Sequence, residues 1–136
     1  MAIEHGGSLF WRDLAEDLKD PEFLREYVAT AIQISTVDRI LNELEDAREA
    51  SGLSKAELAR AISANPASVR RLFSASDANP TLGTLARVAA ALGLRITVAP
   101  LSDDDLSTVT EPLRTGLATD APAVVAAATE RQVAHA

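Results

Sequence analysis

Apolar residues recur at helical spacing along most of the chain. Residues 9–19, LFWRDLAEDLK, set Leu14 and Leu18 four apart and predict a short amphipathic helix. Residues 1–8 read as flexible. Asp20-Pro21-Glu22 marks a stop and a restart: an N-cap, a proline at the first helical position, and an acid favoured by the helix dipole. Phe23, Leu24, Tyr27, Val28, Ala31 and Ile32 then keep the period, and Val37, Ile40, Leu41, Leu44 and Ala47 continue it. Either one helix runs from Pro21 to Ser51 or Ser35-Thr36 starts a second one, and the hydroxyl pair favours a break or bend.

The densest local signals follow. Gly52 closes the preceding helix, and Ser54 with Glu57 forms an S-x-x-E capping box that starts another over about Lys55 to Ile62. Leu58, Ala59 and Ile62 share one face of it, and the small Ala59 permits a close helix crossing. Ser63 and Ala64 make a turn. Asn65 is an N-cap and Pro66 a first-turn residue for a helix over about Pro66 to Phe73. At about 100° per residue, Val69, Leu72 and Phe73 cluster inward while Pro66, Ala67, Arg70 and Arg71 point outward with Ser68 beside them. Two capped helices, a tight turn, a small crossing residue and a basic outer face together predict a helix-turn-helix. Small residues at the start of the second helix allow close approach to a DNA groove, and arginine both reads guanine and clamps phosphate.

A closing helix is expected from Pro80 to Leu92, with Leu82, Leu85, Val88, Ala89 and Leu92 inside and Gly93 at its end. Leu94-Arg95-Ile96-Thr97-Val98 alternates apolar and polar, the period of a half-buried strand, and Pro100 stops it. A lone strand must satisfy its backbone groups somewhere. Leu94, Ile96 and Val98 therefore point to pairing with a second copy or with a partner's sheet. The other reading is an extended segment lying on the helices. Residues 102–136 open with Asp103, Asp104 and Asp105 and continue through Ala, Thr and Pro without an aromatic, which reads as a disordered acidic and alanine-rich tail.

The net charge of −7 looks wrong for a DNA binder until it is divided along the chain. Residues 1–52 carry 5 basic and 12 acidic side chains, residues 53–98 carry 6 and 2, and residues 99–136 carry 2 and 6. The only net-positive block, +4, coincides with the motif. Exposed charges more than about 10 Å apart are largely screened at 0.1 M salt, so DNA responds to the local patch. Four of the five aromatics (Phe10, Trp11, Phe23 and Tyr27) fall in the first 27 residues. Aromatic anchors on an acidic amphipathic element suit a basic protein partner. The plainer reading is that they cover a face of the bundle.

Residues 55–72 resemble the helix-turn-helix of the Cro/C1-type (XRE) family. The likeness continues through Asn79-Pro80-Thr81-Leu82-Gly83-Thr84-Leu85, Val88-Ala89 and Ala91-Leu92-Gly93. Two positions depart from the family pattern: Ser63 stands where glycine is usual, and Lys55 where glutamine is usual. Asp20-Pro21-Glu22-Phe23 with Glu26-Tyr27, a long helix and then this motif resemble HigA-like addiction-module antitoxins. The resemblance covers roughly residues 9–100. It implies a mainly α fold: a five-helix, lambda-repressor-like bundle with an N-terminal helical extension and one short C-terminal β-strand. It implies an extension over 1–35 that binds a toxin and a DNA-binding domain over 36–100; the tail over 101–136 has no counterpart in it. It further implies neutralisation of a RelE/HigB-like RNase toxin and self-repression, as a homodimer, at an inverted-repeat operator in double-stranded DNA. Ala67, Ser68, Arg70 and Arg71 are then expected to face bases, with Asn65 at the helix start, and Lys55, Arg60 or Arg87 to reach phosphates.

Rival readings are an XRE-type repressor without a toxin and a protein-interaction module whose motif is only a scaffold. An enzyme is not expected. There is no cysteine, no phosphate-binding glycine loop, and the only histidines, His5 and His135, stand near the two ends without a catalytic or metal-ligating neighbour. No cofactor and no metal are expected. No signal peptide or membrane span is legible, which fits a cytoplasmic protein.

Overall fold

The computed structural model describes residues 2–75 and 78–130, and the side chains of residues 9–75 and 78–129. Eight α-helices are described: α1 (Ala2–Asp17), α2 (Pro21–Ser51), α3 (Lys55–Ala61), α4 (Pro66–Ser74), α5 (Leu82–Ala91), α6 (Asp103–Asp105), α7 (Glu111–Thr115) and α8 (Ala121–Glu130). A π-helical stretch, Leu106–Thr110, joins α6 to α7. The chain divides into two units. One combines residues 1–35 with 100–136, and the other is Thr36–Ala99.

In the first unit, Leu14 and Leu18 of α1 and Leu24 and Val28 of α2 are buried with Val109, Val124, Val125 and Ala128. This corrects two expectations. Residues 2–8 are not a flexible lead-in, because α1 already begins at Ala2. Residues 101–130 are not a disordered tail, because Val109, Val124, Val125 and Ala128 complete a core that α1 and the start of α2 leave open; residues 131–136 lie outside the described residues. Polar contacts reinforce that docking. The Arg25 guanidinium donates to the carbonyls of Leu113 and Arg114, each at 3.2 Å, and so satisfies groups at the end of α7 that have no helical partner. Gly116 follows at φ 76°, closing α7 where a β-carbon would sit 2.6 Å from Cβ of Pro21.

The expected break at Ser35-Thr36 is also corrected: α2 runs through it. The Ser35 hydroxyl caps nothing. It donates instead to the carbonyls of Ile32 and Ala128, at 3.3 and 3.0 Å. Asp20 does start the helix as expected, its Oδ1 accepting from the backbone N–H of Glu22 at 3.0 Å.

The second unit is built from the end of α2 with α3, α4 and α5, four helical segments rather than the five expected. Leu41, Leu44, Leu58, Ala59, Val69, Leu85, Val88 and Ala89 form its buried core. Arg48 ties the α2–α3 junction: it pairs with Glu45 and donates from Nη1 to the carbonyl of Leu53 at 2.6 Å. The predicted strand is absent, and no strand occurs among the described residues. Of its three apolar positions only Ile96 packs against the core, while Leu94 and Val98 stay exposed. With no second segment to pair with, the alternation positions a single anchoring side chain.

Candidate nucleic-acid interface

The geometry of α3 and α4 follows from their caps. The Ser54 N–H donates to Glu57 Oε1 at 2.9 Å and the Glu57 N–H donates to Ser54 Oγ at 3.0 Å, so the capping box is complete. The Ser54 backbone N–H first, and the Ser54 hydroxyl second, hold the Glu57 carboxyl below its ordinary range, and the charge of Arg60 adds to the effect. Asn65 Oδ1 accepts from the Ala67 N–H at 2.8 Å, with Pro66 next in the first turn.

Between the helices α3 ends in a Schellman motif. The Ser63 N–H reaches the Arg60 carbonyl at 3.2 Å and the Ala64 N–H reaches the Ala59 carbonyl at 2.8 Å. Ser63 therefore sits at φ 55°, the one described non-glycine residue at positive φ. The end of α5 repeats the motif with the residue that suits it. Leu94 N–H bonds Ala89 O at 2.8 Å, and Gly93 takes φ 79°.

These caps present α4 with a defined face. Val69 is 2% exposed and inside the core, with Leu72 and Phe73 half-buried against it. Ala67, Ser68, Arg70 and Arg71 are all exposed. Neither the Arg70 nor the Arg71 side chain makes a hydrogen bond or ion pair with a described residue, so both guanidiniums are available to an external anion. Arg60 is exposed at the end of α3 and Arg87 is exposed on α5, whereas Lys55 is half-buried at the start of α3. Asn65 is exposed, but its side-chain carbonyl is occupied in capping and only its amide N–H groups remain to donate outward.

A cleft of about 360 Å³ runs beside α4, lined by Ser68, Arg71, Leu72, Ala75, Ala78, Asn79 and Pro80. Asn79 thus joins Ser68 and Arg71. Nothing in its local sequence separates this role from that of a loop residue preceding the proline. The four N-terminal aromatics fall into two ring pairs in the first unit. Phe10 and Trp11 meet edge to face at 5.5 Å, and Phe23 and Tyr27 stack at 6.3 Å. Phe10 and Trp11 are 59% and 49% exposed, and Tyr27 is half-buried against the core.

Residues 44–98 match the helix-turn-helix family model. This segment is an XRE-type helix-turn-helix domain, a DNA-binding fold. It takes in the end of α2, all of α3 to α5, and the irregular segment after Gly93. No curated protein and no solved structure matches the chain. His135 lies outside the described residues, as does the side chain of His5. No group of His, Cys, Asp and Glu that could hold a metal is found among the described residues, and no described helix is long and apolar enough to cross a membrane.

Proposed function

We propose that this protein is a sequence-specific transcriptional repressor that also serves as the antitoxin of a toxin–antitoxin module. The observation that carries the DNA-binding half is the outer face of α4, where Arg70 and Arg71 stand exposed and unpaired above a buried Val69. In this reading Ala67, Ser68, Arg70 and Arg71 face base edges, and Arg60 and Arg87 hold phosphates. A homodimer places two such helices about 34 Å apart on an inverted repeat in the cytoplasm. Leu94 and Val98, apolar and exposed at the end of the domain, are the natural contacts for a second copy.

The antitoxin half is supported by the exposed Phe10, Trp11 and Phe23 on an acidic segment, with the half-buried Tyr27 beside them, which suit a basic RNase of the RelE/HigB kind. Two measurements test the proposal. Anisotropy titration with the DNA upstream of the gene reads the first half. Arg71→Ala is expected to weaken binding by ~1–3 kcal/mol and to relax specificity at one base pair. Equal affinity of the variant and the parent would remove Arg71 from the interface. Co-purification with the product of an adjacent short, basic reading frame reads the second half, and its failure would leave a repressor without a toxin.

A further inference from the structure

Phe23, Tyr27, Thr30 and Ile34 follow one another along α2 at steps of four, three and four residues. At 100° per residue they lie within an arc of about 60°, and at 1.5 Å per residue they form a seam of roughly 16 Å. This is the a/d spacing with which one helix receives another. The adjoining side of the same helix is the one that is buried, Leu24 and Val28 lying about 60° and 100° around from Tyr27. Most of the seam is open: Phe23, Thr30 and Ile34 are exposed, Ile34 to 56%, while Tyr27 is half-buried on the side nearest the core. An apolar residue so exposed in mid-helix, in register with a ring pair, has no role in the unit's own core.

The border of the seam is acidic. Glu26 is exposed along one side together with Gln33, and Asp20 stands at the helix start. No cation shares the arc. Arg25 is about 160° away around the helix, and its guanidinium is engaged with Glu22 and the carbonyls of Leu113 and Arg114. A second copy laid on this face would meet acids with acids. A helix with an apolar stripe flanked by Lys or Arg would meet them with opposite charge.

From this juxtaposition we propose that the Phe23–Ile34 face of α2 is a docking seam for a basic amphipathic helix of another protein. The proposal deepens the partner reading above and rests on it in one respect, that the occupant is not this chain. It adds Thr30 and Ile34, which the aromatic clustering alone does not include.

The test uses the full chain and two synthetic amphipathic helical peptides with leucine at a and d, one carrying lysine and the other glutamate at e and g. In fluorescence polarisation at 0.1 M salt the lysine peptide is expected to bind at least about tenfold tighter than its counterpart. Ile34→Lys, at an exposed position where circular dichroism is expected to stay unchanged, is expected to abolish that advantage, and Ile34→Leu to keep it. Equal binding of the two peptides, or lysine-peptide binding untouched by Ile34→Lys, overturns the proposal. So does light scattering that shows a wild-type dimer dissociated by Ile34→Lys, since a second copy would then be the occupant. The two readings separate in co-purification. A toxin retained by Ile34→Lys but lost from a Phe10/Trp11 double alanine variant keeps the partner reading and sinks the seam. Selective peptide binding with no co-purifying toxin does the reverse.

Discussion

Ser63 holds φ 55° at the residue after the α3 C-cap, where its β-carbon is crowded by the backbone. A left-handed conformation costs an L-residue about 1–2 kcal/mol. Glycine escapes that cost but loses more chain entropy on folding, about 0.5–1 kcal/mol. The difference predicts that Ser63→Gly stabilises the Thr36–Ala99 unit by ~0.5–1 kcal/mol. At roughly 4–8 °C per kcal/mol for a unit of this size, its melting midpoint should rise by about 2–8 °C. The assay is thermal unfolding by far-ultraviolet circular dichroism, with amide exchange at Leu58 and Val88, both fully buried, to localise the gain. Trp11 fluorescence reports the other unit and serves as an internal control, because Trp11 lies outside Thr36–Ala99. Ser63→Ala, which keeps a β-carbon, should give no increase. A midpoint unchanged or lowered in Ser63→Gly would show that the serine is not strained, and that α3 and α4 are joined by a different balance of forces.

Three further outcomes are expected. Gly116→Ala combines a φ of 76° with a β-carbon 2.6 Å from that of Pro21. It should destabilise the first unit by ~2–4 kcal/mol in urea titration, and a loss no larger than the conformational term alone would show that Pro21 moves aside. Leu24→Ala removes a fully buried side chain from the same unit and should cost ~2–5 kcal/mol, measured the same way. The Glu57 carboxyl is held below its ordinary range by Ser54, so the folded value lies under the unfolded one. Its stabilising effect is then complete above the ordinary glutamate range and disappears as pH falls through the lowered value. The stability difference between parent and Glu57→Ala should therefore shrink in acid, and a difference independent of pH would refute the linkage.

What could be read from the sequence was what neighbouring residues decide. Ser54 and Glu57, Asn65 and Pro66, and Ser63 at the turn act within a few positions of one another, so α3, α4 and the outward face of α4 were legible. The tail was not. Val109, Val124 and Val125 pack against Leu14 and Leu24, some hundred positions earlier in the chain, and local composition holds no trace of such a contact. Ser35 misled for the same reason, since its hydroxyl partner on α8 is equally remote. The strand over 94–98 failed differently. Alternation of Leu94, Ile96 and Val98 states which side of a segment can be apolar, but a ladder needs a second backbone, and none is present among the described residues.

The order in which the two units are encoded has a consequence during synthesis. The stretch Thr36–Ala99 is uninterrupted, so its hydrophobic interior is fully translated while α8 has still to be made. The other unit must wait for Val124, Val125 and Ala128 before Leu24 and Val28 are sealed. A nascent chain can thus own a finished helix-turn-helix while the element bearing Phe23 and Ile34 lacks half its support. A chain ended before codon 120 would hold the whole Thr36–Ala99 unit but lack the Val124, Val125 and Ala128 that cover Leu24 and Val28.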